Sequence, residues 1–469
     1  MSRTHLLLAT TGLLALVALV VGRPKPPPVT DTRHTLVSPG ESPPEVLLPL
    51  VTAHSGPLTL EGKLSGAYLR AGRSEVFAHV AVRAAHPEDT RRVPVNLALV
   101  LDRSGSMRGQ KLEDAKRAAR ALVMRLGPED RLALVHYGTD VSAFPSMQMT
   151  EQARQQLLTF IDAIQDEGST NISGGLEAAA AELRPYVHTY RVSRIILVSD
   201  GQPTVGLVEP AELSRLTRGY RDTGLAVSGL GVGEDFNEQL MQGIAEQGGG
   251  FYGFIDQPER LATILTRELE QASATMARQV ALRLELPPSV REAEVLGMKA
   301  ERQGRWLLVP LYDLAAGQEA RVVVKLTLET AASGTPVDVL NAHVAYVDVQ
   351  TAGKREAGIL LAAKVTEDEA QVRANLDKAV RVNAVRALGA QQMLAATEKM
   401  NEGDREGALE LLAKARELFG SSLDFSQDVS ALSGAESVIN SGQGETELRR
   451  ESLKLHRKSL SNFGQNNTY

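Results

Sequence analysis

The segment Asn96-Leu-Ala-Leu-Val-Leu-Asp102-Arg-Ser104-Gly-Ser106-Met107 is an apolar run that stops at an aspartate and continues with serines at alternate positions. Because Val95 to Leu101 is apolar nearly throughout, it predicts a central parallel strand covered on both faces. A strand end that presents one carboxylate and two hydroxyls together is a natural seat for a hard cation, which takes oxygen ligands. Further oxygen donors should then arrive from other loops.

The surroundings of this run are α/β in pattern. Lys111 to Leu126 predicts an amphipathic helix with Leu112, Ala115, Ala119, Leu122, Val123 and Leu126 on one side, ended by Gly127-Pro128. Strands are expected over 132–137, 142–149 (an edge strand), 195–198, 226–230 and 250–255. Helices are expected over 152–164, 173–183, 211–223, 238–246 and 258–273. Strands alternating with helices of this length imply a doubly wound, mostly parallel sheet, which binds ligands beyond the carboxyl ends of its strands.

Asp102-x-Ser104-x-Ser106 alone is a weak signal, since Asp and Ser are common in turns and helix caps. Its place between a buried strand and a helix strengthens it. A third donor is expected from a neighbouring loop, and Glu167-Gly-Ser-Thr-Asn171 offers the Thr170 hydroxyl. A fourth should end the next central strand, where Asp200 follows Ile195-Ile-Leu-Val-Ser199.

Asp102, Ser104, Ser106, Thr170 and Asp200, in this order and on these elements, resemble the metal-ion-dependent adhesion site of von Willebrand factor type A domains, over roughly Val93 to Ala272. Gly168-Ser-Thr-Asn-Ile172 and Ser199-Asp-Gly-Gln-Pro203 resemble the family's flanking residues. The resemblance implies that Ser104, Ser106 and Thr170 bind Mg²⁺ directly, with Mn²⁺ or Ca²⁺ as alternatives, and that Asp102 and Asp200 act largely through water. Three neutral hydroxyls leave much of the ion's charge uncompensated, while two carboxylates one layer out orient the waters and hydroxyls. The open position then accepts a carboxylate from another protein.

The flanks differ in period. Leu58, Leu60 and Leu64, then Val76, Ala78, Val80 and Val82, alternate with polar residues, as do Val280, Leu282, Leu284 and Leu286. Further strands are expected at 306–309, 322–328 and 342–349. The shared character predicts one β-sandwich, strands 50–92 and 274–365, with the α/β domain 93–273 inserted into it. A sheet made of the later strands alone is the competing layout. This flank and a targeting segment resemble the bacterial and inter-α-trypsin-inhibitor-like branch of the family. Residues 366–420 predict a helical hairpin broken at Asn401-Glu-Gly-Asp404. Residues 421–469 predict a Ser-, Gly- and Asn-rich tail with a short charged helix near 447–460, whose Arg449, Arg450, Lys454, Arg457 and Lys458 form a solvated face or meet an acidic partner.

At the N-terminus, Leu6 to Val21 is an almost unbroken apolar run behind Arg3. Residues 1–22 therefore read as a cleaved signal peptide or an uncleaved anchor, and 23–49 as an extended Pro-rich linker. Either version puts the chain outside the cytoplasm, as a secreted, periplasmic or membrane-anchored protein that touches membrane only through the anchor. A net charge of −6 over 469 residues gives no basic surface for nucleic acid, and the lack of cysteine excludes disulfides and thiolate chemistry.

No nucleophile elbow, phosphate-binding loop or zinc-protease motif occurs, so an enzyme is not expected. Gly229-Leu-Gly-Val-Gly233 reads as a tight turn, Asp235 as a helix cap, and His79, His136 and His343 as core or surface residues. The expected function is an extracytoplasmic, metal-dependent protein-binding module that recognises a partner's Asp or Glu through a divalent cation. The alternative is a regulatory or chaperone-like adaptor subunit of a membrane or envelope enzyme complex.

Overall fold

The computed structural model describes residues 50–465 apart from 87–91, 234–235, 256, 332–333, 335 and 443. The expected signal or anchor, the linker and the Asp235 cap therefore lie outside the described residues. Among the described residues no helix is long and apolar enough to cross a membrane.

The chain begins in a β-sandwich with β1 (Val51–Ser55), β2 (Leu58–Leu64), β3 (Tyr68–Arg70) and β4 (Gly72–Ala84). It then builds an α/β domain whose strands are β5 (Val95–Asp102), β6 (Arg131–Tyr137), β7 (Val141–Gln148), β8 (Val192–Ser199), β9 (Leu225–Val232) and β10 (Gly249–Ile255). It returns to the sandwich through β11 (Thr275–Glu285), β12 (Val290–Leu296), β13 (Glu301–Gln303), β14 (Trp306–Pro310), β15 (Leu314–Ala315), β16 (Glu319–Thr330), β17 (Pro336–Asp348) and β18 (Lys354–Thr366).

The α/β sheet has the order β10-β9-β8-β5-β6-β7. All neighbours are parallel except β6 and β7, so β7 is the edge strand that its pattern predicted, and it runs antiparallel. Alternate residues of β5 explain why its sequence is apolar nearly throughout. Leu97, Leu99 and Leu101 pack with the helices Gln110–Arg125, Glu151–Asp162 and Leu261–Ser273. Ala98 and Val100 face the helices Ile172–Leu183, Pro210–Asp222 and Glu238–Gly248 on the other side.

The sandwich pairs strands from both sides of the insertion. One sheet runs β1-β2-β4-β16-β12 and the other β13-β14-β11-β17-β18-β3, with β15 alongside β11. The β4–β16 ladder is antiparallel from Gly72↔Thr330 to Arg83↔Glu319, so strands before and after the α/β domain share one sheet. That excludes the layout built from later strands alone. Between the two sheets lie Leu60, Val80, Val82, Leu282, Leu284, Val324 and Val344.

Two sequence expectations need correction. Gly229-Leu-Gly-Val-Gly233 is not a turn, because Gly229 and Gly231 lie inside the buried strand β9 and only Gly233 leaves it with φ +81°. The glycines are there for close packing: a Cβ on Gly231 would stand 2.3 Å from the Phe236 ring, and one on Gly229 would stand 2.8 Å from the Met241 carbonyl oxygen.

The second correction concerns residues 421–465, where a Ser-, Gly- and Asn-rich tail with one short charged helix was expected. After the helices Lys378–Asn401 and Arg405–Phe419 come two more, Ser426–Asn440 and Glu445–Asn462. Their apolar residues are thinly spread among Ser, Gly and charges, which hides the pattern. Leu432, Ala435, Ile439, Leu448, Leu453, Leu460 and Phe463 are nevertheless all buried. Leu453, Leu460 and Phe463 join Val380, Ala384 and Leu388 in the same core as Leu240 and Ile244 of the α/β domain. Arg449, on the charged face, meets an acid within the chain: its guanidinium donates to Glu238 at 2.6 Å from both ends and to the Phe236 carbonyl at 2.6 Å. Phe463→Ala should therefore destabilise the folded chain by about 3–5 kcal/mol, read as a lowered denaturation midpoint. A surface tail would show no change.

Candidate metal centre

The strand β5 ends at Asp102, fully buried at the carboxyl edge of the sheet. Its Oδ1 accepts the Ser104 N–H at 2.8 Å, which turns the chain sharply after the strand. Its Oδ2 accepts the Ser199 hydroxyl at 2.6 Å and the Tyr137 hydroxyl at 3.3 Å. Burial pushes the Asp102 carboxyl above its ordinary value, and the bonds from Ser104 and Ser199 pull it back. The Tyr137 hydroxyl is pushed well up by its own burial and by the Asp102 carboxylate.

The two serines that follow are brought together, with Ser104 Oγ 3.1 Å from Ser106 Oγ. Ser106 Oγ donates to Asp200 Oδ1 at 2.7 Å. Asp200 stands just past β8, the neighbour of β5, and is fully buried. Thr170 comes from the loop ahead of the helix Ile172–Leu183. That loop is held to the Asp102 turn by Glu167 N–H to the Arg103 carbonyl at 2.8 Å and Gly105 N–H to the Gly168 carbonyl at 3.2 Å. Asn171 caps the helix by accepting the Gly174 N–H at 3.0 Å, leaving the Thr170 side chain to face the site.

Gly201 measures the convergence. A Cβ there would lie 3.3 Å from Ser106 Oγ and 3.5 Å from Thr170 Oγ1. Three loops thus place their oxygens around one small space, with Asp102 behind it.

Residues 96–267 match the family model for the von Willebrand factor type A domain. This chain carries a von Willebrand factor type A domain. The Escherichia coli K12 protein YfbK is 31% identical over 242 residues, spanning 50% of this chain and 42% of that one. The inter-alpha-trypsin inhibitor heavy chain H3 of Pongo abelii is 31% identical over 172 residues, 35% of this chain and 20% of its own. This chain thus spans less than half the length of each of these relatives. The fold is shared more widely: a von Willebrand factor type A structure from Catenulispora acidiphila overlays with a TM-score of 0.67 at 18% identity, covering 87% of this chain and 98% of that one. The von Willebrand factor type A domain is a protein-interaction, adhesion-type module.

The donor set suits a hard cation held by hydroxyls. Among the described residues no group of three or more His, Cys, Asp or Glu is placed to hold a metal ion. Several residues of this von Willebrand factor type A domain escaped the sequence reading. Lys111 Nζ lies 2.7 Å from Asp200 Oδ2, so Asp200 is shared between a lysine and the Ser106 hydroxyl. Ser199 and Tyr137 fix Asp102 from behind, and Thr204 accepts the Thr170 N–H at 2.9 Å. Ser199 was visible as the residue before Asp200. Lys111 and Tyr137 carry no local signal, because only the sheet brings them to the site.

Proposed function

We propose that Asp102, Ser104, Ser106, Thr170 and Asp200 hold one divalent cation, Mg²⁺ by the character of the donors, and that the domain uses it to dock an Asp or Glu of a partner protein. The reading rests on the convergence of the Ser104, Ser106 and Thr170 hydroxyls in front of two buried carboxylates. A bound Mg²⁺ supplies an oxygen-seeking position that a carboxylate can fill. The chain's own residues do the rest. Asp102 orients Ser104 through its backbone, and Asp200 orients Ser106 through its hydroxyl. Lys111 neutralises part of the Asp200 charge and favours an incoming anion.

A hydrolytic role has less support. Asp102 is engaged by Ser104, Ser199 and Tyr137, and Asp200 by Ser106 and Lys111, so each carboxylate is already committed. The C-terminal helices, which suggested an adaptor subunit, bury apolar faces against the von Willebrand factor type A domain and each other and so no longer favour that alternative. The apolar run 6–21 supports an extracytoplasmic location.

The test is capture of envelope proteins by the purified chain with Mg²⁺ and with EDTA, alongside a Gly201→Ala variant. Gly201 does not need positive φ, so alanine should leave the fold intact while its methyl enters the space among Ser106 and Thr170. Capture and Mg²⁺-induced thermal stabilisation should both disappear in Gly201→Ala and in EDTA. Capture that ignores both treatments would sink the metal-bridged reading.

A further inference from the structure

A second concavity, which shares no lining residue with the proposed cation site, lies where β3 and β4 of the sandwich meet the start of the helix Lys378–Asn401. It encloses about 410 Å³, with Leu69, Val76, Phe77, Val385 and Leu388 among its walls. The polar groups at its rim are largely engaged. Arg70 and Arg373 share Glu369 at 2.7 and 2.9 Å, and Lys325 pairs with Glu75 at 3.0 Å. Ser65 Oγ accepts the Phe77 N–H at 3.0 Å, and the Ser74 hydroxyl donates to the Arg70 carbonyl at 2.6 Å.

Arg381 is the exception. It stands in the first turn of the helix and lines the groove, half-buried. Its guanidinium has no hydrogen bond or ion pair to any described residue. The nearest acid in sequence, Asp377, is taken by Lys63 at 2.5 Å and by the Val380 N–H at 2.8 Å. Burial lowers the Arg381 guanidinium from its ordinary value, and no neighbouring charge adds to or opposes the effect. A half-buried guanidinium without an anion keeps only part of its hydration, and its planar fork matches a carboxylate in two places at once. A mostly apolar pocket with one such group is the usual make-up of a small-ligand site.

We propose that this groove binds a fatty-acid-type ligand, with the hydrocarbon chain on Leu69, Val76, Phe77, Val385 and Leu388 and the carboxylate on Arg381. A peptide suits the walls less, because its amides would face hydrocarbon without partners. An acyl carboxylate brings a single anion to a single unmatched cation.

Calorimetric titration of the purified chain with decanoate and with decanol tests this. Decanoate is expected to saturate one site, and decanol, the same chain without the anion, to bind roughly tenfold more weakly or worse. Arg381→Gln should bind decanoate no better than decanol, and Arg381→Lys should keep part of the preference. Thermal melts establish that each variant is folded. The parent should titrate with decanoate equally in Mg²⁺ and in EDTA, which separates this site from the cation site. The proposal is overturned by equal affinity of the parent for decanoate and decanol, by the absence of binding, or by an unchanged decanoate affinity in Arg381→Gln. Binding of the terminal carboxylate of an apolar peptide without binding of decanoate would overturn the ligand class. The comparison of decanoate with decanol on the parent decides the matter even if Arg381→Gln fails to fold.

Discussion

Asp102→Ala is expected to abolish Mg²⁺-induced stabilisation and to weaken cation binding by about 10–100-fold, the usual effect of removing a group that orients metal ligands. Two effects combine. The Ser104 N–H loses the acceptor that shapes the turn, so Ser104 and Ser106 no longer present their hydroxyls together. The Ser199 and Tyr137 hydroxyls are left facing a small void in a fully buried place. An unsatisfied buried group costs about 1–3 kcal/mol, so the alanine protein should also unfold earlier.

Asp102→Asn separates the two effects. It keeps the shape and an oxygen for Ser104 but removes the charge that burial disfavours. The metal-free asparagine protein should be at least as stable as the parent at neutral pH, yet gain nothing from Mg²⁺. Thermal melts with and without Mg²⁺ at neutral pH read both outcomes. An asparagine or alanine protein that responds to Mg²⁺ as the parent does would remove Asp102 from the site.

Acidification from pH 6.5 to about 4 should strip several kcal/mol of stability through two histidines, the half-buried His79 and the buried His456. His79 on β4 is pushed down to about 4, first by burial and then by the Arg321 and Arg83 charges. His456, on the last helix, is also pushed down to about 4, again first by burial. It packs edge-on against Tyr252 and meets Gln242 Oε1 at 3.0 Å, so it sits between the C-terminal helices and the von Willebrand factor type A domain.

The sign follows from which state takes up the proton. The folded state keeps both rings neutral below the pH at which the unfolded chain protonates them. Their contribution is therefore fully present above 6.5 and is lost as pH falls toward about 4, by roughly 3 kcal/mol for each histidine. The buried carboxyls Asp102, Asp313 and Glu246, all raised by burial, act in the opposite direction. The clean measurement is thus a difference. Urea unfolding of the parent and of His79→Gln/His456→Gln at pH 7 and pH 4.5 should show a flatter pH dependence in the variant. Equal slopes would refute the histidine account.

The amino-acid sequence by itself determined the elements whose environment is uniform along their length. A strand buried on both faces is apolar nearly throughout, as Val95–Leu101 is apart from Asn96 and as Ile195–Val198 is. Helices with one buried side must carry a stripe, and Gln110–Arg125 does. The domain family, and the convergence of the five proposed oxygen donors, were legible for a related reason: a carboxylate or hydroxyl at the end of such a strand has a fixed place in the fold before any contact is known.

Tertiary structure decided what depends on partners distant in the chain. The sandwich could be drawn with or without β1–β4 until β4 was seen paired with β16, since alternation marks a strand but not its neighbour. The last helix was legible as a charged segment near 447–460, but Ser426–Asn440 was hidden because sparse Leu, Ala and Ile among Ser and Gly bury little by themselves; it gains a core only against Met393, Met400 and Leu412. The Asp102–Asp200 centre showed the same division. Its oxygens could be read from the sequence, but Lys111, Ser199, Tyr137 and Gly201 act there only because parallel strands and the loops beyond them end at the same edge of one sheet.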